Sequence, residues 1–498
     1  MQTKTDSNEI QSYLIDASNM RGGQASRVAF PENAEEVAAT LAQASNNKTP
    51  VTVSGAGTGI VGGRVPFGGI VLATDRLNRI KEIRKEGKGG RAVAQAGVVL
   101  AEFQREVEAR GLLYPPDPTE RSCYLGGTVA TNASGARTFK YGPTRNYVER
   151  LRIALATGDV IGIGRGEIYA DEKGKIVIPL QGGRKIEAQL PSYKMPRTRK
   201  HASGYYVTEG MDAIDLFIGS EGTLGVITEV EMRLLPKPEG VFGGVVFFGS
   251  EDKLLSFVAE AREVSLNTRS LNLTDEVDAR ALEYFDQHSL QFMREKFSMI
   301  PQSACGAIFF EQETTAENED ALLQKWNSMI EKHEALADDS WFAVNEHDRA
   351  QMHEFRHALP VLVNEWLARH GQRKVSTDMA VPDEEFARML AFYKETLDAS
   401  RLQFVIFGHI GDNHLHVNIM PRDDEEATEA REIYGKFIAR AVELGGTISA
   451  EHGIGKLKRD YLLELYGHEY IQQMAELKRA FDPACILGRG NIFGEELL

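Results

Sequence analysis

Residues 51–63 read Val51-Thr-Val-Ser54-Gly55-Ala56-Gly57-Thr58-Gly59-Ile60-Val-Gly62-Gly63, a short β-branched strand that runs straight into a glycine-rich loop. Gly57, Gly59 and Gly62 meet the G-x-G-x-x-G spacing of a dinucleotide fingerprint, and Asp75 follows about where a ribose-binding acid would stand. The rest of that fingerprint is missing. A Rossmann unit needs a helix directly behind the glycines, so that the helix N-terminus meets the pyrophosphate. Here only residues 63–69 precede the next apolar run, Ile70-Val-Leu-Ala-Thr74, and they include Gly63, Gly68, Gly69 and Pro66. No helix fits. What remains is a loop of side-chain-free backbone N–H groups able to wrap a pyrophosphate as an anion nest.

A second tract has the same character. Tyr114-Pro-Pro-Asp117-Pro118 forms a rigid turn ahead of Gly126-Gly127-Thr-Val-Ala-Thr-Asn132-Ala-Ser134-Gly135, all small residues. Two such tracts in one region point to a long, flat ligand lying against the backbone at two places.

The chain of 498 residues is too long for a single core, so two or three domains in contact are expected. Residues 1–26 are polar, with a short helix expected, and a helix starts near Glu32 or Asn33. From Pro50 to about Leu235, apolar runs broken by glycine (51–54, 70–74, 92–97, 151–157, 216–219 and 225–235) read as strands of a sheet-rich α+β unit. Pro236-Lys-Pro-Glu-Gly240 is the linker. Beyond it, strands alternate with helices of 3.6-residue period, such as 252–264 and 320–334, in a second α/β domain, and 456–482 is helical again.

Composition removes several function classes. A formal net charge of −15 argues against non-specific nucleic-acid binding. No apolar run is long enough for a transmembrane helix, and the start MQTKTDSNEI lacks the apolar core of a secretory signal. Cys123, Cys305 and Cys485 stand far apart with no CxxC pair, which disfavours a disulfide framework, an iron–sulfur cluster and a cysteine zinc site. The expected compartment is the cytoplasm, with a peripheral contact to the inner face of the membrane left open.

Ser54–Gly63, Pro115–Gly135 with Tyr141-Gly142, and Phe217-Ile-Gly-Ser-Glu-Gly-Thr-Leu-Gly-Val-Ile227 resemble the PCMH-type FAD-binding domain of the vanillyl-alcohol-oxidase-type flavoproteins. The resemblance implies that Ser54, Gly55, Ala56, Gly57, Thr58, Gly59 and Ile60 hold the FAD pyrophosphate. It also implies that Pro118, Gly126, Gly127, Asn132 and Gly135 border the flavin and ribityl chain, and that Val226 and Ile227 lie beside the dinucleotide. Covalent members carry a His or Cys in these loops. The first loop here has Ala56 and Gly57, and Cys123 reads as a packing residue, so non-covalent FAD is expected.

Every histidine except His201 lies in the second half, and four of them stand in two tight motifs. In Phe407-Gly-His409-Ile-Gly-Asp-Asn-His414-Leu-His416-Val-Asn418, the turn residues Gly411-Asp-Asn413 separate two strand-like runs, a hairpin pattern. His414, His416 and Asn418 then share a face by period two, with His409 on the opposing strand. In Ser449-Ala-Glu451-His452-Gly-Ile-Gly-Lys456, adjacent Glu and His are expected at a strand end. His409, His416 and Glu451 make a two-histidine, one-carboxylate set that holds a divalent ion and leaves positions open for substrate. His452 is the candidate base. His414 is left out of the set, because a third ligand is already available.

GHIGDNHLH, SAEHGIGK and the ending Leu477–Leu487 through Asn491-Ile-Phe493 resemble the flavin-dependent D-2-hydroxyacid dehydrogenases of the D-lactate, D-2-hydroxyglutarate and glycolate-oxidase-subunit types, over residues 27–493. The resemblance implies His409, His416 and Glu451 as metal ligands, His452 as general base, Asn418 as a substrate contact and Arg356 as the group that binds the substrate carboxylate. The family's usual GDGN turn is Gly411-Asp-Asn-His414 here. Hydroxyglutarate enzymes have a threonine four residues after the arginine and a lysine downstream. This chain has Pro360, and Lys374 is out of register, which favours a monocarboxylate such as D-lactate over D-2-hydroxyglutarate or glycolate. The expected ion is zinc, with manganese or iron as alternatives. Electrons are expected to leave for an external acceptor: a quinone, an electron-transfer flavoprotein or an iron–sulfur partner subunit. A homodimer is left open. The ether-lipid alkyl-transfer synthases share the FAD domain, but they carry a run of histidines where this chain has the single His452. The implied architecture is a two-part FAD domain over 27–239, a substrate or cap domain with an antiparallel sheet and the metal hairpin over 240–430, and a C-terminal helical segment over 431–498 returning to the FAD domain.

Overall fold

Val51–Ser54 pairs in parallel with Ile70–Ala73, Val51 beside Ile70 and Ser54 beside Ala73, and the glycine loop is the whole connection between them. In the computed structural model, which describes residues 1–343 and 345–498, this pair belongs to a four-stranded sheet in the order Gln2–Lys4, Arg27–Phe30, Ile70–Ala73, Val51–Ser54. Arg27–Phe30 is parallel to Ile70–Ala73, and Gln2–Lys4 is antiparallel to Arg27–Phe30. The Ala34–Asn46 helix begins where Asn33 Oδ1 accepts the Glu36 N–H at 2.9 Å. Its buried stripe of Val37, Ala38, Leu41 and Ala44 packs with Val51, Ile70 and Leu72.

A second, antiparallel sheet runs Ile80–Glu86, Gly89–Gln95, Val226–Pro236, Val148–Ala154, Val160–Gly164. The short Leu125–Ala130 helix buries Leu125 and Val129 in the core of this unit. The apolar run 216–219, expected as a strand, instead ends a single helical turn, Ile214–Phe217. All four residues of that turn are buried, so the run reports burial on every side, and an apolar segment this short carries no period to tell strand from helix.

The strand Val226–Pro236 gives way at once to Gly240–Phe248, the first strand of a seven-stranded antiparallel sheet. The order is Trp341–Ala343, Gly240–Phe248, Gly306–Thr314, Ala279–Asp286, Gln403–Gly408, His416–Met420, Val375–Ser376. Every residue of Ala279–Asp286 is buried, because both faces of the sheet are covered. On one face Glu251–Ser270 and Glu319–Lys332 bring Phe257 and Trp326 onto Phe310, and the Phe310 and Trp326 rings stack at 3.9 Å. On the other, the Glu346–His370 helix lays Phe355, Leu359 and Val363 against Phe247, Phe285 and Phe309.

The expected boundary at residue 430 falls inside a helix, Asp424–Glu443. Asp423 caps that helix, its side chain accepting the Glu426 N–H at 2.9 Å. Two more helices follow, Arg459–Tyr466 and His468–Phe481, broken at Gly467 with φ +81°. The chain then closes on the first sheet: Val51 N–H donates to Ile486 O at 2.7 Å, and Gly488 N–H to Val51 O at 3.0 Å. Among the described residues no helix is long and apolar enough to cross a membrane.

Candidate functional site: a histidine–carboxylate cluster beside the glycine loops

Gln403–Gly408 and His416–Met420 form the expected hairpin, with Phe407 paired to His416 and Val405 to Asn418. On the outer edge Ser376 pairs with Asn418. His409 is not on the opposing strand: it follows the strand's last residue, Gly408, and opens the turn that Asn413 closes at φ +53°. Gly408 sits at φ +119°, where a Cβ would stand 3.0 Å from the His416 ring, so the bare backbone lets the strand turn sharply and bring both rings together. Glu451 and His452 do not end a strand either. They lie in an irregular loop held by Asp378, which accepts Glu451 N–H at 3.1 Å, His452 N–H at 3.0 Å, the Ser449 hydroxyl at 2.6 Å and Lys458 Nζ at 2.7 Å. Four backbone or side-chain donors on one buried carboxylate replace the hydrogen bonds that a strand would have supplied.

The side chains converge. His409, His414, His416 and Glu451 each offer a ligand atom within 4.8 Å of the others. His409 Nε2 lies 3.4 Å and His416 Nε2 3.8 Å from Glu451 Oε2. The other nitrogens are tied back: His409 Nδ1 to Glu283 Oε1 at 2.7 Å, His416 Nδ1 to Thr377 O at 3.1 Å. Such outer partners fix the ring orientation of a metal-binding histidine. Glu451 Oε1 is claimed by Lys200 Nζ at 2.6 Å and Ser134 Oγ at 2.9 Å, which turns Oε2 toward the imidazoles. Despite burial, Lys200 and His409 hold the Glu451 carboxyl well below the usual carboxylate range. Burial opposes charge on His409, but Glu283 outweighs it and lifts that ring to about 9. Burial, seconded by the charge on His409, drops His416 to about 4. His414 Nδ1 and both amide atoms of Asn418 are buried and make no hydrogen bond among the described residues, while His414 Nε2 has Asp378 Oδ1 at 3.2 Å. Three imidazoles, a carboxylate and orphaned polar atoms in one buried spot fit a divalent cation.

His452 stacks on His416 with ring centroids 5.6 Å apart and turns Nδ1 to Asp378 Oδ2 at 3.3 Å. Burial depresses its pKa to about 4 against the pull of Asp378, which favours the neutral ring with Nδ1 turned to Asp378 and Nε2 as the acceptor. Arg356, on the long helix, donates from Nη2 at 3.1 Å and Nε at 3.3 Å to Glu283 Oε2, and its Nη1 lies 3.0 Å from His357 Nε2. It therefore stands one carboxylate away from His409. Glu283, Lys200, Asp378 and Ser134 were not singled out from the sequence. Each meets its partner across a long stretch of chain, so no local spacing announces them.

The glycine tracts lie next to this cluster. Gly57 and Gly62 have φ +83° and +74°. Within the loop, Arg64 Nη1 reaches Ser54 Oγ at 3.1 Å and Gly55 O at 2.7 Å. Gly126 packs on Ala96 and Gly135 on Asp117 O so tightly that a Cβ would collide, whereas Gly59 and Gly127 face open space. Ile60 is solvent-exposed, and Ala56 and Thr58 are half-buried. Asn132, at φ +49°, accepts Arg145 N–H at 3.0 Å. Pro118 adjoins Gly135 across the Asp117 turn, and Val226 and Ile227 are buried where their strand begins. A cradle of bare backbone with two glycines open to space fits a flat dinucleotide. Burial pushes the Cys123 thiol up to about 12, out of nucleophilic range. Ser134 ties the second tract to Glu451, and Glu221, in the loop before Val226, accepts Ile454 and Gly455 N–H at 2.6 Å each.

Comparison with known proteins matches two stretches of the chain. Residues 25–164 match the FAD binding domain family, and residues 237–492 match the family described as FAD linked oxidases, C-terminal domain. The chain is 30% identical over 495 residues to the glycolate oxidase subunit GlcD of Bacillus subtilis (strain 168), covering 97% of this chain and 92% of that one. It is 31% identical to a D-lactate dehydrogenase of Anaerostipes hadrus (92% and 87% covered). It is 27% identical to a D-2-hydroxyglutarate dehydrogenase of Stutzerimonas stutzeri (strain A1501), with 98% and 95% covered. An alkyldihydroxyacetonephosphate synthase structure superimposes with a TM-score of 0.67 at 16% identity, covering 98% of this chain and 82% of that chain, a likeness of fold.

Proposed function

This chain belongs to the FAD-linked oxidases, and on that footing we propose that it oxidises a D-2-hydroxy acid to the 2-keto acid with FAD and a divalent metal, passing the electrons to an external acceptor. The observation that carries this reading is the convergence of His409, His416, Glu451 and His452 on one buried spot that Ser134 ties to the second glycine tract. When bound, FAD supplies the two-electron acceptor and the divalent ion a Lewis acid for the alcohol oxygen. FAD would be held without a covalent bond by the loops at 54–60, 118–135 and 226–227, and the ion by His409, His416 and Glu451.

The chain's own residues orient the substrate and take its proton. His452 accepts the hydroxyl proton at Nε2, since Asp378 occupies the Nδ1 side and burial keeps the ring neutral. Arg356, anchored to Glu283, holds the substrate carboxylate and so aims C2. Asn418 offers an amide with no other partner among the described residues. His409, His414 and Asn418 are buried, while His452 keeps about a quarter of its side chain exposed, an opening through which substrate can reach it.

A monocarboxylate of the D-lactate kind is the first reading, because Pro360 gives the helix no hydroxyl one turn beyond Arg356. One observation favours a dicarboxylate such as D-2-hydroxyglutarate. Lys374, half-buried just before the Val375–Ser376 strand, has its pKa lowered by burial alone, and no carboxylate meets it among the described residues. The test is the flavin spectrum of the purified protein under anaerobic conditions, with D-lactate, D-2-hydroxyglutarate or glycolate added before and after chelation. Bleaching by one acid that chelation abolishes is the expected result. A flavin that no hydroxy acid bleaches would overturn the reading and leave only the fold.

A further inference from the structure

His414 stands where the ligand set should already be complete. Its imidazole is fully buried, with ring centroids 4.5 Å from His416 and 5.4 Å from His409. Its Nδ1 turns to Glu451 Oε1 at 4.0 Å, while Asp378 Oδ1 lies 3.2 Å from Nε2 on the far side of the ring. With Asp378 on the Nε2 side, Nδ1 is the nitrogen left without a hydrogen bond among the described residues. A buried imidazole nitrogen with no partner costs free energy unless something else takes its lone pair. A carboxylate behind one nitrogen, with the other facing an acid and two imidazoles, is the outer-partner arrangement of a metal-binding histidine. Asp378 thus stands to His414 as Glu283 stands to His409.

We propose that His414 is a fourth protein ligand of the divalent ion, making the centre three imidazoles and one carboxylate. The inference rests on the metal reading of the site given above and adds to it. Four protein donors already close a tetrahedral zinc site. A hydroxy acid that joins through two oxygens brings the donors to six, a number suited to manganese or iron. The turn sequence Gly411-Asp-Asn-His414 would then set which metal the enzyme uses.

The experiment uses the flavin-loaded protein, stripped by chelation and reloaded with one equivalent of Mn2+. X-ray absorption at the manganese edge counts the imidazoles, and the free-Mn2+ electron paramagnetic resonance signal gives affinity. Three imidazoles are expected in the wild type and two in His414→Asn, which should bind Mn2+ at least about tenfold more weakly while keeping its flavin. Two imidazoles in the wild type, or unchanged affinity in His414→Asn, would overturn the proposal. Should His414→Asn fail to fold, the wild-type count decides alone. His416→Ala separates the two levels. If it too binds Mn2+ like the wild type, the metal site itself is misread. If it loses the ion while His414→Asn does not, only the role of His414 falls.

Discussion

Glu283 accepts from His409 Nδ1 through one carboxylate oxygen at 2.7 Å and from Arg356 through the other at 3.1 Å. One buried side chain therefore orients both a ring of the metal cluster and the guanidinium proposed to hold substrate. The two cations lower its pKa to about 2 against the effect of burial. Glu283→Gln leaves the buried Arg356 guanidinium facing an amide and replaces the carboxylate acceptor of His409 Nδ1. It should cost about 3 kcal/mol of stability and weaken metal binding by roughly 10- to 100-fold. Thermal unfolding and a metal titration on the same sample check both numbers, and a variant as stable and as metal-replete as the wild type would show that Glu283 orients neither group.

His452 is assigned the proton, not the cofactor. His452→Ala should slow flavin reduction by the hydroxy acid by roughly 10²- to 10⁴-fold with the flavin still bound. Rapid-mixing absorbance measures it. Normal reduction kinetics in this variant would remove His452 from the reaction.

Burial raises the Glu221 carboxyl to about 7, so it binds its proton more tightly folded than unfolded. Its contribution to stability is complete below the ordinary glutamate pKa and is lost as pH rises through about 7. Part of the side chain still meets solvent, so the loss lies below the about 3 kcal/mol that the whole shift would imply. Between pH 5 and 8 the denaturant midpoint of the wild type should fall relative to that of Glu221→Gln, a subtraction that removes the opposite trend of the buried histidines His416 and His452. Parallel slopes would mean that another group titrates.

Gly127 and Gly135 belong to the same tract yet face different things. A Cβ on Gly135 collides with Asp117 O, while one on Gly127 meets nothing within 4 Å. Gly135→Ala should therefore destabilise the fold, whereas Gly127→Leu should leave unfolding of the flavin-free protein unchanged and cut the flavin-to-protein ratio several-fold. Full flavin occupancy in Gly127→Leu would show that the open space is not where the cofactor lies.

Much of this protein was legible as local pattern. The glycine loop with no room for a helix excluded a Rossmann unit, and the structure connects Val51–Ser54 to Ile70–Ala73 by that loop alone. The 403–420 hairpin followed from turn residues between apolar runs. Two things misled. The turn at 214–217 is buried at all four positions and too short to display a period. His414 was left out of the ligand set because a third ligand was already available, and the structure brings it within 4.8 Å of the other three groups.

The sequence by itself singled out the side chains His409, His416, Glu451 and His452, since they lie in motifs only a few residues long. Only the tertiary structure decided how those groups are aimed. Lys200 and Glu451 are 251 positions apart, Ser134 and Glu451 317, and Glu283 and His409 126. Pairs so distant form when the sheets and the returning C-terminal segment close on one another. Burial then gives a charge–charge contact its strength, and burial is a property of the packed molecule rather than of any segment.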